Sequence, residues 1–551
     1  MLFRSVICCA LAGLTFSCST TQEAVYDRED GLSSITAAEM KAYVKVLASD
    51  EFEGRKPFTR GEEKTIAFLE KAFRDKGLEP GNGDSYLQEV PMVEITATNE
   101  GTMKISGPKT NLALKGFDEY VLNTERTDES IVWKDEEFVF AGFGIVAPEY
   151  NWNDYEGLDV KGKVVIVLVN DPGFGGTDTT LFKGNTMTYY GRWTYKYEEA
   201  ARQGAKGCFV VHNTVPAGYP FGVLQNSWNS AHLYLDQRGK DNYYCEGIGW
   251  LTKDATEKLF KAAGYDFNEH QTKARQAGYK GFPLNLKAST SMQVTSRYNK
   301  SHNVIAKVTG STRPDEYIVY TAHWDHLGIG RPDVDGDTIY NGAYDNASGT
   351  AGLLEIAEAF ASLKTKPERT VVFLAVTAEE QGLWGSAYYA ENPVYPKEKT
   401  VANINMDGIN QFGKTSDIVI IGKGQSELED YLQEEARQFG RTVLPDSESE
   451  KGFYFRSDHF NFAKIGIPAL YLKTGSDFGD AAAAREFKES YTNKYYHQPS
   501  DEYYEDKLNY EGGVEDLKLL FLVGKKLAFE NSWPNWKTGS EFKATRDSYK
   551  K

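Results

Sequence analysis

Residues 320–330 read YTAHWDHLGIG, placing His323, Asp325 and His326 together directly after a strand-like run. Imidazoles and a carboxylate this close are either ordinary surface chemistry or metal ligands. Further along, NGAYDNASGTAGLLEIAEAF sets Asp345 just before an amphipathic helix, and TVVFLAVTAEE ends on Glu379 and Glu380. VANINMD ends on Asp407, and YYHQPSDEY carries His497 in a loop. Each piece alone has a plain structural reading. Asp345 could cap a helix, Asp407 before Gly408 could make a turn, the paired glutamates could form a solvated edge, and His497 could be a loop histidine. Their recurrence at successive strand ends requires several such coincidences at once. Two histidines and three carboxylates, with a spare glutamate beside them, are the N and O donors that a pair of zinc ions requires, one carboxylate being shared. Adjacent residues at a strand end point in different directions, so one glutamate can bind metal while the other faces the water as general base.

Positioning such a set demands an α/β scaffold, because open α/β sheets place their ligand sites beyond the carboxyl ends of their strands. From residue 302 onward the chain alternates strand and helix: NVIAKV, EYIVYTAH, a helix over about 347–362, TVVFLAV, VANINM, DIVIIG, a helix over about 427–439, and PALYLK. That alternation predicts a mixed, mainly parallel sheet sandwiched by helices. Upstream, ITAAEMKAYVKVLASDEFEGR and GEEKTIAFLEKAFRDKGLEP read as helices, the second with Ile66, Leu69 and Phe73 on one face and Gly77 as its stop. Residues 115–290 differ in texture, with short β-runs such as EFVFAGFGIV and GKVVIVLVND and no cluster of metal-like spacing.

At 551 residues, two or more domains are expected. The formal charge of −17, from 62 basic and 79 acidic residues, argues against a nucleic-acid binder. The opening MLFRSVICCALAGLTFSCS reads as an export signal over residues 1–18, with Arg4 ahead of an apolar run too short to span a bilayer. Cys18 follows small residues as a lipidated cysteine would, so the expected location is the cell envelope, with the membrane reached only through that anchor; otherwise the protein is periplasmic or secreted. Cys208 and Cys245 remain in the body, able to pair or to stay as isolated thiols. Nothing in the sequence sets the oligomeric state.

The order AHWDH, GAYDNASG, TAEE, NMDG and YHQPSD resembles the dizinc exopeptidase family that contains aminopeptidase Y and bacterial leucyl aminopeptidases. Glutamate carboxypeptidase and the non-enzymatic transferrin receptor share that family. The resemblance implies a peptidase domain over residues 34–114 and 291–551. It also implies an inserted, smaller, β-rich protease-associated domain over 115–290, which usually borders the site but could be only a spacer. It implies two Zn2+ per chain: His323 and Asp407 on one ion, Glu380 and His497 on the other, Asp345 bridging. Glu379 would be the general base, and Asp325 would orient His323. Tyr454 is a candidate oxyanion donor, and Asp458 and His459 are expected to fix a loop. Tyr344 departs from the family, where many relatives carry a second aspartate. The implied activity is hydrolysis of the N-terminal peptide bond of a peptide by a two-zinc activated water. Three rivals stay open. A carboxypeptidase would need a cationic pocket for a substrate carboxylate, and no arginine cluster in the sequence marks one. A receptor-like binding protein would be expected to have lost ligands, and a glutaminyl cyclase of related fold would hold a single zinc.

Overall fold

The structure is a computed structural model that describes residues 26–99, 101–228 and 230–549. The leader and Cys18 lie outside these residues.

The central strands are apolar on both sides, as strands covered by helices on two faces must be. Arg369–Val376 and Thr400–Asn405 are buried throughout. Arg313–His323 runs parallel between them. Thr400–Asn405 then pairs in parallel with Ala469–Thr474. Beyond it, Asp417–Ile420 is antiparallel to Ala469–Thr474, and Thr442–Pro445 closes that edge. On the other edge, residues 304–308 lie antiparallel to Arg369–Val376. The sheet is therefore mixed and mainly parallel, as the alternating pattern predicts.

Alternation along Arg313–His323 divides two cores. Ile318, Tyr320 and Ala322 face helices Ala37–Leu47, Gly349–Ala361 and Glu511–Phe529, while Val319 packs with Tyr389 and Phe462 of the opposite layer. Each fully buried Leu or Phe in these layers contributes roughly 1.5–3 kcal/mol relative to exposure. The two upstream helices form where expected, as Ala37–Leu47 and Arg60–Asp75. Thr36 caps the first, its side chain accepting from the Glu39 amide at 3.2 Å.

The segment of different texture folds around a second part of the same sheet. Val164–Leu168 pairs in parallel with Ser130–Phe140 on one side and Gly207–His212 on the other, and Gly247–Thr252 follows. Ile166 and Phe209 face one apolar cluster and Val165, Val167 and Trp250 the other. A single strand, Phe282–Val308, is 27 residues long and makes the two parts continuous: residues 282–293 pair with Ser130–Phe140, and residues 304–308 with Arg369–Val376. Residue 290 lies inside this strand. Cys208 and Cys245 are both free and buried. Among the described residues, no helix is long and apolar enough to cross a membrane.

Candidate functional site

His323 ends its strand, fully buried, at the carboxyl edge of the sheet. Its Nε2 lies 3.3 Å from Asp345 Oδ1, 3.4 Å from Asp407 Oδ1 and 3.9 Å from Glu379 Oε2. The second carboxylate oxygen of Asp345 faces the other way, 3.4 Å from Nε2 of His497, which is 3.0 Å from Glu380 Oε2. Asp345 thus stands between two histidines, one oxygen toward each. Ligands held 2.0–2.1 Å from a tetrahedral ion are about 3.3 Å apart, the edge of the tetrahedron. The observed contacts of 3.0–3.4 Å match that edge. Among the described residues, Nε2 of His497 has no aligned hydrogen-bond partner.

The charge balance supports the same fit. Burial alone would lower the pKa of His323, but Glu379, Asp345 and Asp407 raise it well above the ordinary value. For His497, Glu380 and Asp345 outweigh burial and push it up to about 10. Glu379 is raised well above the usual carboxylate range by burial, with Asp407 and Glu380 adding repulsion. Asp325 is pushed up to about 8, chiefly by burial. Carboxylates crowded in this way need a cation more concentrated than imidazolium, and divalent ions on N and O donors fit. The donor set suits zinc.

Each side chain is held by a specific device. Asp325 has two tasks. Its carbonyl oxygen and Oδ1 lie 3.2 and 3.8 Å from Nδ1 of His323, leaving Nε2 for the site. Its carboxylate also accepts from the backbone amides of Glu379 at 3.0 Å and Glu380 at 3.4 Å, so it fixes the glutamate pair as well. The turn carrying that pair is tight, with Ala378 at φ 53 and Leu383 at φ 63. His497 itself sits at φ 56, a left-handed backbone that the surrounding loop must hold in place. Its ring stacks on Tyr496 at 3.9 Å.

The structure also brings in groups that the motif reading left without a role. Nδ1 of His326, the second histidine of AHWDH, is 2.6 Å from Glu380 Oε1, and its buried Nε2 has no partner among the described residues. The donor atoms of His326, Asp345 and Glu380 lie within 4.8 Å of one another, as do those of His323, Glu379 and Asp407. Asn346 joins three segments: its Nδ2 donates to the carbonyls of His323 and Met406, and its Oδ1 accepts from the amides of Gly349 and Gly408. Asp501 accepts from the amides of Tyr344 and Asp345 at 3.1 and 3.2 Å and from the Tyr491 hydroxyl at 2.9 Å. Arg55, from EFEGR, is 1 % exposed and donates to the carbonyls of Leu47, Trp324, Asn341 and Gly342. The signal for Asn346 and Asp501 was adjacency to motif residues; Arg55 lies in the charged stretch DEFEGRKPFTR, where nothing local set it apart.

One expectation is corrected. Tyr454 packs against Phe455 and Phe542, its charged neighbours are Glu541 and Glu429, and its hydroxyl reaches no site residue. The phenol beside the site is Tyr471, which donates to the Asp407 carbonyl oxygen at 3.3 Å. Tyr454 lies in the 3-10 turn Phe453–Phe455, which turns its ring into the apolar cluster of Phe455, Phe460 and Phe542. Asp458 accepts from Ser386 Oγ at 2.5 Å, and His459 is buried between the rings of Tyr454 and Tyr471, consistent with a role in fixing their loop. Tyr344 lies between Phe412 and Tyr491, a wall of the site rather than a ligand.

Comparisons with known proteins agree with this geometry. Residues 303–515 match the model of peptidase family M28. Over 131 residues the chain is 34% identical to the mouse protein named aminopeptidase NAALADL1, covering 23% of this chain and 16% of that one. It is 43% identical over 89 residues to a probable zinc metalloprotease of Pyrenophora tritici-repentis, covering 16% of this chain and 18% of the relative. The matched stretches thus span less than a quarter of these curated relatives. Among solved structures, the aminopeptidase from Aneurinibacillus sp. strain AM-1 shares the fold, with a TM-score of 0.51, 19% identity, and coverage of 93% of this chain and 97% of that one.

Proposed function

We propose that the chain, whose residues 303–515 match the model of peptidase family M28, is a zinc-dependent exopeptidase that removes N-terminal residues from peptides. The observation that carries this reading is Asp345, with one oxygen 3.3 Å from Nε2 of His323 and the other 3.4 Å from Nε2 of His497. A single carboxylate so placed can serve two ions, with Asp407 and His323 completing one side and Glu380 and His497 the other. Zinc bound there would supply Lewis acidity to the peptide carbonyl and to the attacking water.

The chain's own residues do the rest. Glu379, protonation-prone through burial, takes the proton from the water and returns it to the leaving amine. Asp325 holds Glu379 and Glu380 by their backbone amides, so base and ligand keep fixed directions. Asp501 and Asn346 hold the backbone on either side of Asp345. The test is a panel of aminoacyl and dipeptide substrates, free and N-acetylated, run with zinc, with chelator, and with zinc restored. Hydrolysis that needs a free amine, stops on chelation and returns with zinc is expected; turnover unaffected by chelation would remove the reading.

The division into a peptidase body and a protease-associated insert over 115–290 belongs to the same proposal, as does export with a lipid on Cys18. Fatty-acid labelling of the expressed protein, abolished in Cys18→Ser, is the expected result for the anchor.

A further inference from the structure

Three carboxylates gather where the first helix meets the helix behind Asp345. Glu39 stands in the first turn of Ala37–Leu47, and Glu355 and Glu358 are three positions apart on Gly349–Ala361, on neighbouring turns of one face. One oxygen of each lies within 4.8 Å of the others. Glu355 is fully buried, at 0 % exposure. Its Oε2 accepts from the Thr36 amide at 2.7 Å, while its Oε1 is buried without a hydrogen-bond partner among the described residues.

The charges around Glu355 do not balance. Burial, with repulsion from Glu39 and Glu358, pushes its pKa up to about 8 against the pull of the Thr36 amide and Lys76. Lys76 is itself paired with Glu358 and lies over the ring of Tyr43, 5.2 Å from its centre. Glu358 also sits in the last turn of its helix, where the backbone dipole disfavours negative charge and favours a cation. A buried carboxylate with an idle oxygen and like charges beside it costs free energy that a small divalent cation recovers.

The donor set selects the ion. Carboxylate oxygens, with no imidazole or thiol in the group, suit a hard cation rather than zinc. Calcium takes about six to eight oxygens in flexible geometry, with bidentate carboxylates and water among them, whereas magnesium demands a near-ideal octahedron. Two ligands each about 2.4 Å from calcium stand at most about 4.8 Å apart, so the group fits one coordination sphere. An open cleft lined by Tyr43, Lys76, Glu358 and Ser362 adjoins it and gives an ion a path in. The group is separate from the zinc ligands, since Glu355 lies six positions past Gly349, about 9 Å along the helix axis. The connection between them is mechanical. Helix Gly349–Ala361 begins at the turn that carries Asp345, and Ala37–Leu47 packs against that turn.

We propose that Glu39, Glu355 and Glu358 bind a calcium ion that staples helix Ala37–Leu47 to helix Gly349–Ala361, behind the turn carrying Asp345. Calcium is then a structural ion of the peptidase body, distinct from the ions of the reaction centre, and the proposal holds whatever bond that centre cleaves.

The test uses the zinc-loaded full chain and calcium chloride alone. Equilibrium dialysis with radioactive calcium should show one saturable site with a Kd of about 10⁻³ M or tighter, the range of extracellular calcium modules and below. The denaturation midpoint should rise with calcium over the same range, and less with magnesium, while zinc content stays constant. Glu39→Gln and Glu355→Gln keep the side-chain shape and remove one charge each. Both should weaken calcium binding at least about tenfold and flatten the rise in midpoint. Without calcium, Glu355→Gln should be at least as stable as wild type, because repulsion is relieved. Should that variant fail to fold, Glu358→Gln, whose side chain is partly exposed, takes its place. Absence of saturable binding in wild type, or binding unchanged in either variant, overturns the site and leaves a proton shared among the three carboxylates in its stead.

Discussion

Glu379 and Glu380 are adjacent in sequence and have opposite surroundings. Glu380 faces His497 and His326, and despite burial its pKa is drawn down to about 2, as suits a permanently ionised ligand. Glu379 faces Asp407 and Glu380, and burial raises it, as suits a group that takes up a proton. Glu379→Gln is therefore expected to retain near wild-type zinc while losing at least about 100-fold in kcat, since a positioned acid–base group contributes about 10²–10⁴-fold. Metal analysis beside steady-state kinetics checks this, and a variant turning over at the wild-type rate removes the assignment. His323→Ala should behave differently, with zinc content falling along with activity. His459 makes a separate prediction, about stability. Burial holds its pKa at about 3, far below the ordinary 6.5, so the unfolded chain takes up a proton that the folded chain resists. The stability this contributes is complete above pH 6.5 and is lost as pH falls toward 3. Denaturation midpoints at pH 7.5 and 5 should fall more for wild type than for His459→Phe; equal losses would contradict the buried neutral state.

At the scale of elements, the strand ends deliver ligands, but the turns after them set direction. His323, the glutamate pair and Asp407 follow three adjacent parallel strands. What brings Asp345 to them is the turn 343–348 ahead of helix Gly349–Ala361, clamped by Asn346, Asp501 and, from beneath, Arg55. Arg55 is a buried cation serving four carbonyls on three segments, and those carbonyls would be left unpaired without it. Arg55→Ala is expected to lose about 3 kcal/mol or more of stability and to weaken zinc retention, measured by chemical denaturation and by dialysis against chelator. Full retention of both would show that the clamp at Asn346 and Asp501 suffices.

For the whole molecule, the long strand Phe282–Val308 joins both halves of one sheet, and residues 183–189 meet the C-terminal part of the chain again at a distance from it. Met187 donates its amide to the carbonyl of Ser449 at 3.2 Å, Lys183 pairs with Glu541 at 2.7 Å, and Tyr189 packs against Phe460. These contacts hold the loop that leads into helix Trp193–Arg202. Lys183→Ala with Met187→Ala should loosen that contact. The expected readout is a lower denaturation midpoint with zinc content unchanged; an unchanged midpoint would show that this contact adds nothing to stability.

The sequence by itself determined the α/β alternation and the identity of the residues that could bind metal. Both are written locally, the first in the period of apolar residues and the second in short motifs after strands. It also placed Asp325 correctly beside His323, two positions away in the chain. Tertiary structure alone decided that one oxygen of Asp345 faces each histidine, that His326 joins Glu380, and that Tyr471 rather than Tyr454 stands at the site. Side-chain types and their spacing are carried along one dimension, whereas convergence of distant segments depends on how strands pair and how turns aim, and those are settled only when the sheets pack.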